Sequence, residues 1–183
     1  MTDHLRQDLG FQVDLGTGDV TAVVPFPANA VWVEFFIIAS IDTGVNYNHP
    51  DLNANAWLNT GEIAGNGIDD DGNGRVDDIR GWDFYNNDSN PVDDNGHGTH
   101  TAGTIGARGN NGVGIVGVNW QCKVMALKFL GAGGSGSSSG ALGCLQYAVQ
   151  KNVKVSNNSW GGGPSSQSLL NAINSSQNIG HVF

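Results

Sequence analysis

From position 32 onward, apolar residues come in short runs separated by stretches rich in Gly, Asn and Asp. The first run, with Val33, Phe35, Phe36, Ile37, Ile38 and Ala39, is nearly continuous and predicts a strand buried on both faces. It ends at Ile41-Asp42-Thr43-Gly44, where the glycine signals a turn, so Asp42 falls at the strand's carboxyl end. Residues 97–107 (HGTHTAGTIGA) hold few strong helix formers, yet their small side chains suit a helix packed closely between other elements. Residues 122–130 (CKVMALKFL) predict a second strand and 131–140 a flexible Gly/Ser loop. Leu142, Leu145, Ala148 and Val149 then share one helical face. Residues 153–159 predict a third strand. A helix over 166–177 turns Leu169, Leu170 and Ile173 inward and meets its stop signal at Asn178 and Gly180. The β-α-β-α alternation makes this an α/β domain with a parallel sheet.

Residues 1–30 carry no sustained period, and Pro25 and Pro27 interrupt what begins there. The chain therefore divides into an atypical N-terminal segment, 1–30, and a domain over 31–183. Residues 53–95 read as an irregular excursion anchored by Trp57, Trp82 and Phe84, longer than a simple connector needs to be. His181, Val182 and Phe183 read as the first residues of a further strand. A parallel sheet that stops there leaves an edge unpaired and a helix uncovered, so the domain is expected to be incomplete at its C-terminus, a fragment.

Composition narrows the function. With 28 glycines and 14% charged residues the chain is loop-rich and globular, and a coiled coil is excluded. Eight basic residues against seventeen acidic ones give a net charge of −9, which argues against a nucleic-acid partner. Nine of the seventeen acids are aspartates between positions 69 and 94, opposed there only by Arg75 and Arg80. Such a block is either solvated surface or, because Gly and Asn interleave it, a wrapping for a hard cation. Cys122 and Cys144, 22 apart, fit neither a zinc cluster nor a disulfide framework. The longest apolar stretch, 31–41, is eleven residues broken by Glu34, too short to cross a bilayer. The N-terminus shows no charged-then-apolar leader, so either the protein is not secreted or its leader is missing.

Asp42-Thr43-Gly44 matches the D-T-G of aspartic proteases, but that chemistry needs a second copy and none occurs. His97 and His100 are spaced i, i+3 without an H-E-x-x-H or a third nitrogen or sulfur ligand, so zinc is not expected. A histidine opening a helix near an aspartate at a strand end is the base and orienter half of a nucleophilic triad, at the sheet edge where parallel folds carry their sites.

The segments together resemble the subtilisin-like serine proteases, the subtilases, over about residues 36–183. Ile41-Asp42-Thr43-Gly44-Val45 with His49-Pro50-Asp51-Leu52 is similar to the family's catalytic aspartate block. Asn95-Gly96-His97-Gly98-Thr99-His100-Thr101-Ala102-Gly103-Thr104 is similar to its histidine block, and Ser159-Trp160-Gly161-Gly162 to its substrate-binding strand. Lys128-Phe129-Leu130-Gly131-Ala132-Gly133-Gly134-Ser135-Gly136 resembles the strand opposite. The resemblance implies a three-layer subtilisin-like fold and peptide-bond hydrolysis by an Asp/His/Ser triad. Asp42 would hold the Nδ1 proton of His97, His97 would act as general base and then acid, and His100 would be structural. Gly134, Ser135 and Gly136 on one side and Ser159, Trp160 and Gly161 on the other would clamp an extended peptide through the backbone. Trp160 would wall a pocket or pack in the core. The family's G-T-S-x-A nucleophile block is absent from these residues, as is its A-G-N oxyanion segment just after the strand that begins at His181, so the chain alone is expected to be inactive. The serines at 135 and 137–139 read as loop residues.

The resemblance also implies structural calcium. Asp69, Asp71, Asn73 and Asp77 resemble most of a D-x-[DN]-x-[DN]-G loop, although Arg80 stands where a bidentate acid is expected. Asp83, Asp88 and Asn90 align with a calcium loop of heat-stable subtilases, with Asn86 in place of an aspartate. Asp51 and Asn111 match a third site. The implied partner is a peptide or protein substrate, the implied state monomeric and extracellular. The alternative is a non-catalytic calcium-binding interaction module on the same scaffold.

Overall fold

The computed structural model describes residues 36–163 and 165–183. Segment 1–30, with Pro25 and Pro27, and the strand positions Val33 and Phe35 lie outside the described residues. Strand β1 spans Ile37–Asp42, β2 Gly81–Asp83, β3 Lys123–Lys128 and β4 Val155–Asn157. Helix α1 spans His97–Gly106, α2 Ser138–Gln150 and α3 Gln167–Asn178. The sheet order is β2-β3-β1-β4 with every pair parallel. Asp42 lies opposite Lys128, which in turn lies opposite Asp83. After α3 the chain returns to the sheet as expected: Val182 donates to the Lys154 carbonyl at 2.7 Å and accepts from the Ser156 amide at 2.9 Å.

Alternation along β3 builds the layers. Met125 and Leu127 join Ala39 and Ile41 of β1 in a core beneath α2, where Ala141, Cys144, Tyr147 and Ala148 meet them. Val124 and Ala126 point to the other face and pack with Val45, Leu52, Ala102 and Cys122 beneath α1. Helix α1 is the buried helix its small residues imply. A Cβ on Gly106 would come within 2.6 Å of Cys122 Sγ, so the close approach to β3 requires glycine there.

Several expectations shift. Phe36, expected in the buried strand, is 51% exposed: its carbonyl accepts the Lys123 amide at 2.8 Å, but it stands one residue ahead of the first β1–β3 pair at Ile37. The 53–95 excursion contains a short 3-10 turn, Asn53–Asn55, and the edge strand β2. Three residues opening on Gly81 show no period, so β2 is not visible in the sequence. Gly81 has φ +120°, and a Cβ there would sit 1.9 Å from the Ala126 carbonyl oxygen. Trp57 and Trp82 are buried anchors, and Phe84 packs edge-on to Tyr147. The buried face of α2 is centred on Ala141, Cys144, Leu145 and Ala148, rotated from the expected one, which leaves Leu142 and Val149 half-buried. In α3, Leu169 and Ile173 are half-buried while Leu170, about 100° further round the helix, is exposed. The Gly/Ser loop is shorter than expected, since Ser137 Oγ accepts the Gly140 amide at 3.1 Å and caps α2.

Candidate functional site

Asp42 ends β1 fully buried, and His97 opens α1 with about half of its side chain exposed. His97 Nδ1 donates to Asp42 Oδ1 at 2.8 Å. The same oxygen accepts the Thr43 amide at 2.7 Å, and Thr101 Oγ1 donates to Oδ2 at 3.3 Å. A carboxylate acceptor on Nδ1 keeps the proton there and leaves Nε2 as the basic nitrogen. His100, three residues on, is exposed.

Two residues bind the helix start to the strand end. Thr43 Oγ1 accepts the Gly98 amide at 2.8 Å and donates to Asp93 Oδ1 at 2.8 Å. Asp93 also accepts the Asn95 and Gly96 amides, each at 2.9 Å, on Oδ1. On Oδ2 it accepts the Thr99 amide at 2.8 Å and the Thr99 hydroxyl at 2.6 Å. Burial alone would raise the Asp93 carboxyl, but the Thr99 bond and the amide bonds outweigh it and hold the group below its ordinary value. Sequence reading missed Asp93. Its signal was an aspartate shortly before a helix start. Gly98 must be glycine, because a Cβ there would lie 2.1 Å from the Gly44 carbonyl oxygen.

A cleft of about 220 Å³ opens beside this pair, lined by Thr43, Asn95, His97, Leu130, Gly134, Ser159, Trp160 and Gly161. Gly134 thus lines the same cleft as His97 and the 159–161 segment. Gly136 bridges antiparallel to Leu130, and the Ser135 carbonyl accepts the Gly131 amide at 3.0 Å, so both shape the loop without lining the cleft. Trp160 serves both readings given for it: it lines the cleft and packs edge-on against Phe129 at 4.9 Å. Ser159 Oγ donates to Asn157 Oδ1 at 3.3 Å.

In the acidic loop, carboxylate oxygens of Glu62, Asp69 and Asp71 lie within 4.8 Å of one another. Asn73 joins this group through its amide, which donates to Asp69 at 3.0 Å and Asp71 at 3.2 Å, while its buried Oδ1 has no hydrogen-bond partner. Three carboxylates and an orphaned amide oxygen are hard donors of the kind calcium takes. Glu62 had no sequence signal, being seven residues before the aspartates. Asp77 sits apart, accepting the Gly65, Asn66 and Gly67 amides. Asp83 Oδ1 accepts the Tyr85 and Asn86 amides, Asp88 Oδ1 accepts the Asn90 amide, and Asn90 Oδ1 accepts the Tyr47 hydroxyl. The Asp83 and Asp88 carboxylates serve local turns, while the Asn90 side chain ties to a residue 43 positions away. Asp51 and Asn111 do meet, at 2.8 Å, but Asn111 presents its Nδ2 to the carboxylate. That bond and the Ile115 amide hold the Asp51 carboxyl below its ordinary value.

The subtilase-family profile matches residues 35–183, and the chain belongs to that family. It is 47% identical over 124 residues to subtilisin-like protease 1 of Plasmodium falciparum (isolate 3D7), covering 67% of this chain and 18% of that protein. It is 37% identical over 145 residues to thermitase of Thermoactinomyces vulgaris, covering 79% of this chain and 44% of thermitase. The crystal structure of a cold adapted subtilisin-like serine proteinase superposes with a TM-score of 0.57 at 30% identity, over 78% of this chain and 42% of that one. The parallel sheet between helices is therefore the subtilisin-like α/β fold, and the chain spans less than half the length of these relatives. Among the described residues no helix is long and apolar enough to cross a membrane.

Proposed function

We propose that this chain carries the general base, its orienting carboxylate and the two substrate-binding segments of a serine endopeptidase of the subtilisin type. The observation that carries the reading is the 2.8 Å contact between exposed His97 and buried Asp42 at the lip of a cleft. His97 Nε2 takes the proton of an attacking serine hydroxyl and returns it to the leaving amine, while Asp42 stabilises the imidazolium that forms between. An extended peptide lies between the 134–136 and 159–161 segments, held by main-chain hydrogen bonds. These 183 residues contain no G-T-S-x-A block, and their one A-G-N, at 64–66, lies in the acidic loop before His97 and not after the strand that begins at His181, so by themselves they hydrolyse no peptide bond.

Calcium belongs to the same reading, with Glu62, Asp69, Asp71 and Asn73 as its ligands, supported by the converging oxygens of the three carboxylates and the unpartnered Oδ1 of Asn73. The enzyme acts as a monomer on peptide or protein substrates outside the cell, as the family resemblance implies. The carboxylate cluster also favours a second reading, a calcium-binding interaction module without catalysis. Fusing residues 36–183 to the carboxyl-terminal half of thermitase separates the two. The fusion is expected to cleave a peptide anilide, and His97→Ala to lower the rate by about 10⁴-fold. A cooperatively folded fusion as active with His97→Ala as without it refutes the proteolytic role.

A further inference from the structure

Lys128 carries a charge in the interior. Its side chain is 1% exposed, at the carboxyl end of β3 between Asp42 on one side and Asp83 on the other. An ammonium at that depth needs a partner for each of its three N–H groups. Lys128 Nζ donates to the Thr43 carbonyl at 2.7 Å, to the Leu130 carbonyl at 2.7 Å and to Asp94 Oδ1 at 2.6 Å. Two of these are main-chain oxygens where parallel strands run out of ladder partners, so a plain ion pair is not the whole of its role.

The three partners belong to three segments that converge on the cleft. Thr43 follows Asp42 directly. Leu130 opens the substrate loop and bridges to Gly136. Asp94 lies three residues before His97, in the turn leading into α1. Thr43 and Leu130 line the cleft, and Lys128 does not, so it works from beneath the floor. The backbone reinforces one of these joints, since the Phe129 and Leu130 amides donate to the Asp42 carbonyl at 3.1 and 3.3 Å. Between Lys128 and the turn before His97, however, the joint is the Asp94 carboxylate.

We propose that Lys128 is the positioning residue that holds the substrate-binding loop in register with the His97–Asp42 pair. The proposal rests on the proteolytic reading above. It predicts that substrate-loop binding and His97 geometry fail together when the ammonium goes, and separately when only one partner goes. The test uses the 183-residue chain, ¹⁵N-labelled, with two readouts. One is the affinity for a blocked tetra-alanine peptide. The other is the exchange rate of the low-field His97 Nδ1 proton that bridges to Asp42.

Lys128→Met is expected to weaken the peptide and to speed proton exchange, each by about tenfold, the scale of losing charge-assisted bonds. Lys128→Arg, which keeps charge and donors, restores the His97 proton signal, a rescue that a mere volume effect would not give. Asp94→Ala changes a half-exposed side chain and leaves both carbonyl bonds. It is expected to speed exchange by about tenfold while peptide affinity stays within about twofold. If Lys128→Met does not melt cooperatively, Asp94→Ala decides alone. Exchange within about twofold of wild type in the folded variants overturns the assignment to Lys128. A wild-type chain that shows neither peptide binding nor the low-field proton overturns the proteolytic reading, and this proposal with it.

Discussion

Replacing Asp93 with alanine removes the shared acceptor of the Thr43 and Thr99 hydroxyls and of the Asn95, Gly96 and Thr99 amides. The amides belong to the turn that opens α1, where the first N–H groups find no partner within the helix. Loss of a capping carboxylate costs about 0.5–2 kcal/mol. Stranding the Thr43 hydroxyl, which also receives the Gly98 amide, adds roughly 1 kcal/mol. Solvent reaches part of the turn and re-solvates some donors, so the expected total is about 2–3 kcal/mol rather than the sum over every bond. For a domain of this size that is a fall in Tm of about 4–12 °C.

The sign with pH is fixed by the Asp93 carboxyl, which its hydrogen bonds hold below the ordinary value against the opposing effect of burial. A group depressed in the folded state contributes stability above its unfolded pKa, about 3.9, and loses it as pH falls through the folded value. The Tm gap between wild type and Asp93→Ala is therefore full near neutral pH and shrinks in strong acid. Asp93→Asn should fall between them. One oxygen can keep Thr43, Asn95 and Gly96, while the amide nitrogen replaces the oxygen that received Thr99. Calorimetry of the three proteins at about pH 6 and about pH 2.5 is the assay. A gap of less than about 1 °C near neutral pH, or one unchanged in acid, refutes the argument.

Gly98→Ala drives a Cβ to within 2.1 Å of the Gly44 carbonyl oxygen, so α1 must retreat from the β1 end. The expected outcome is loss of the low-field His97 proton by NMR together with a cost of about 1–3 kcal/mol, whereas an unchanged proton signal counts against the close-approach argument. Calcium at about one hundred times its Kd should stabilise the chain by about 2.7 kcal/mol through mass action. Glu62→Gln is expected to remove most of the calcium-dependent Tm rise and Asp77→Asn to leave it, so the opposite ranking in melts with calcium against chelator would reject the proposed ligand set.

The central strands and the buried helix were legible because each rests on local pattern, whereas the histidine–aspartate contact, between residues 55 apart, was legible only through the resemblance of its two sequence blocks to the subtilases. A continuous apolar run needs no partner to be recognised, and Asp42 at its end follows from the turn at Gly44. What stayed hidden depends on chain segments far apart in sequence. Edge strand β2 exists because Gly81 lets the backbone press onto Ala126, a contact without periodicity. Asp93 reads in sequence as one more acid in a crowded loop, and only its meeting with Thr43, 50 residues away, gives it a role. Glu62 joins the aspartate group through its bond to the Asp71 amide, nine residues on. The aspartate spacing alone suggested Asp77, but its carboxylate turns to the glycine amides at 65 and 67 and stands outside the group formed by Glu62, Asp69 and Asp71.

The acidic loop has a root and a tip held by different means. At the root, fully buried Asp78 accepts the Tyr147 hydroxyl at 2.6 Å, Asn59 Nδ2 at 2.6 Å and Asn73 Nδ2 at 2.8 Å. Burial first, and then the neighbouring Asp78 carboxylate, push the Tyr147 hydroxyl far above its ordinary pKa, so it stays a donor at every physiological pH. Arg75 adds its guanidinium over the Trp82 and Phe84 rings at 4.8 and 4.6 Å. These contacts bind the loop to α2 and β2 without a metal. At the tip, Glu62, Asp69 and Asp71 bring like charges together, and the cation on hand is Lys151, which pairs with Asp71 and lies 3.6 Å from Asp78. One lysine spans root and tip but reaches only one carboxylate of the three. Added positive charge at the tip would relieve repulsion among these three carboxylates, while the hydrogen bonds at the root tie the loop to the sheet and α2.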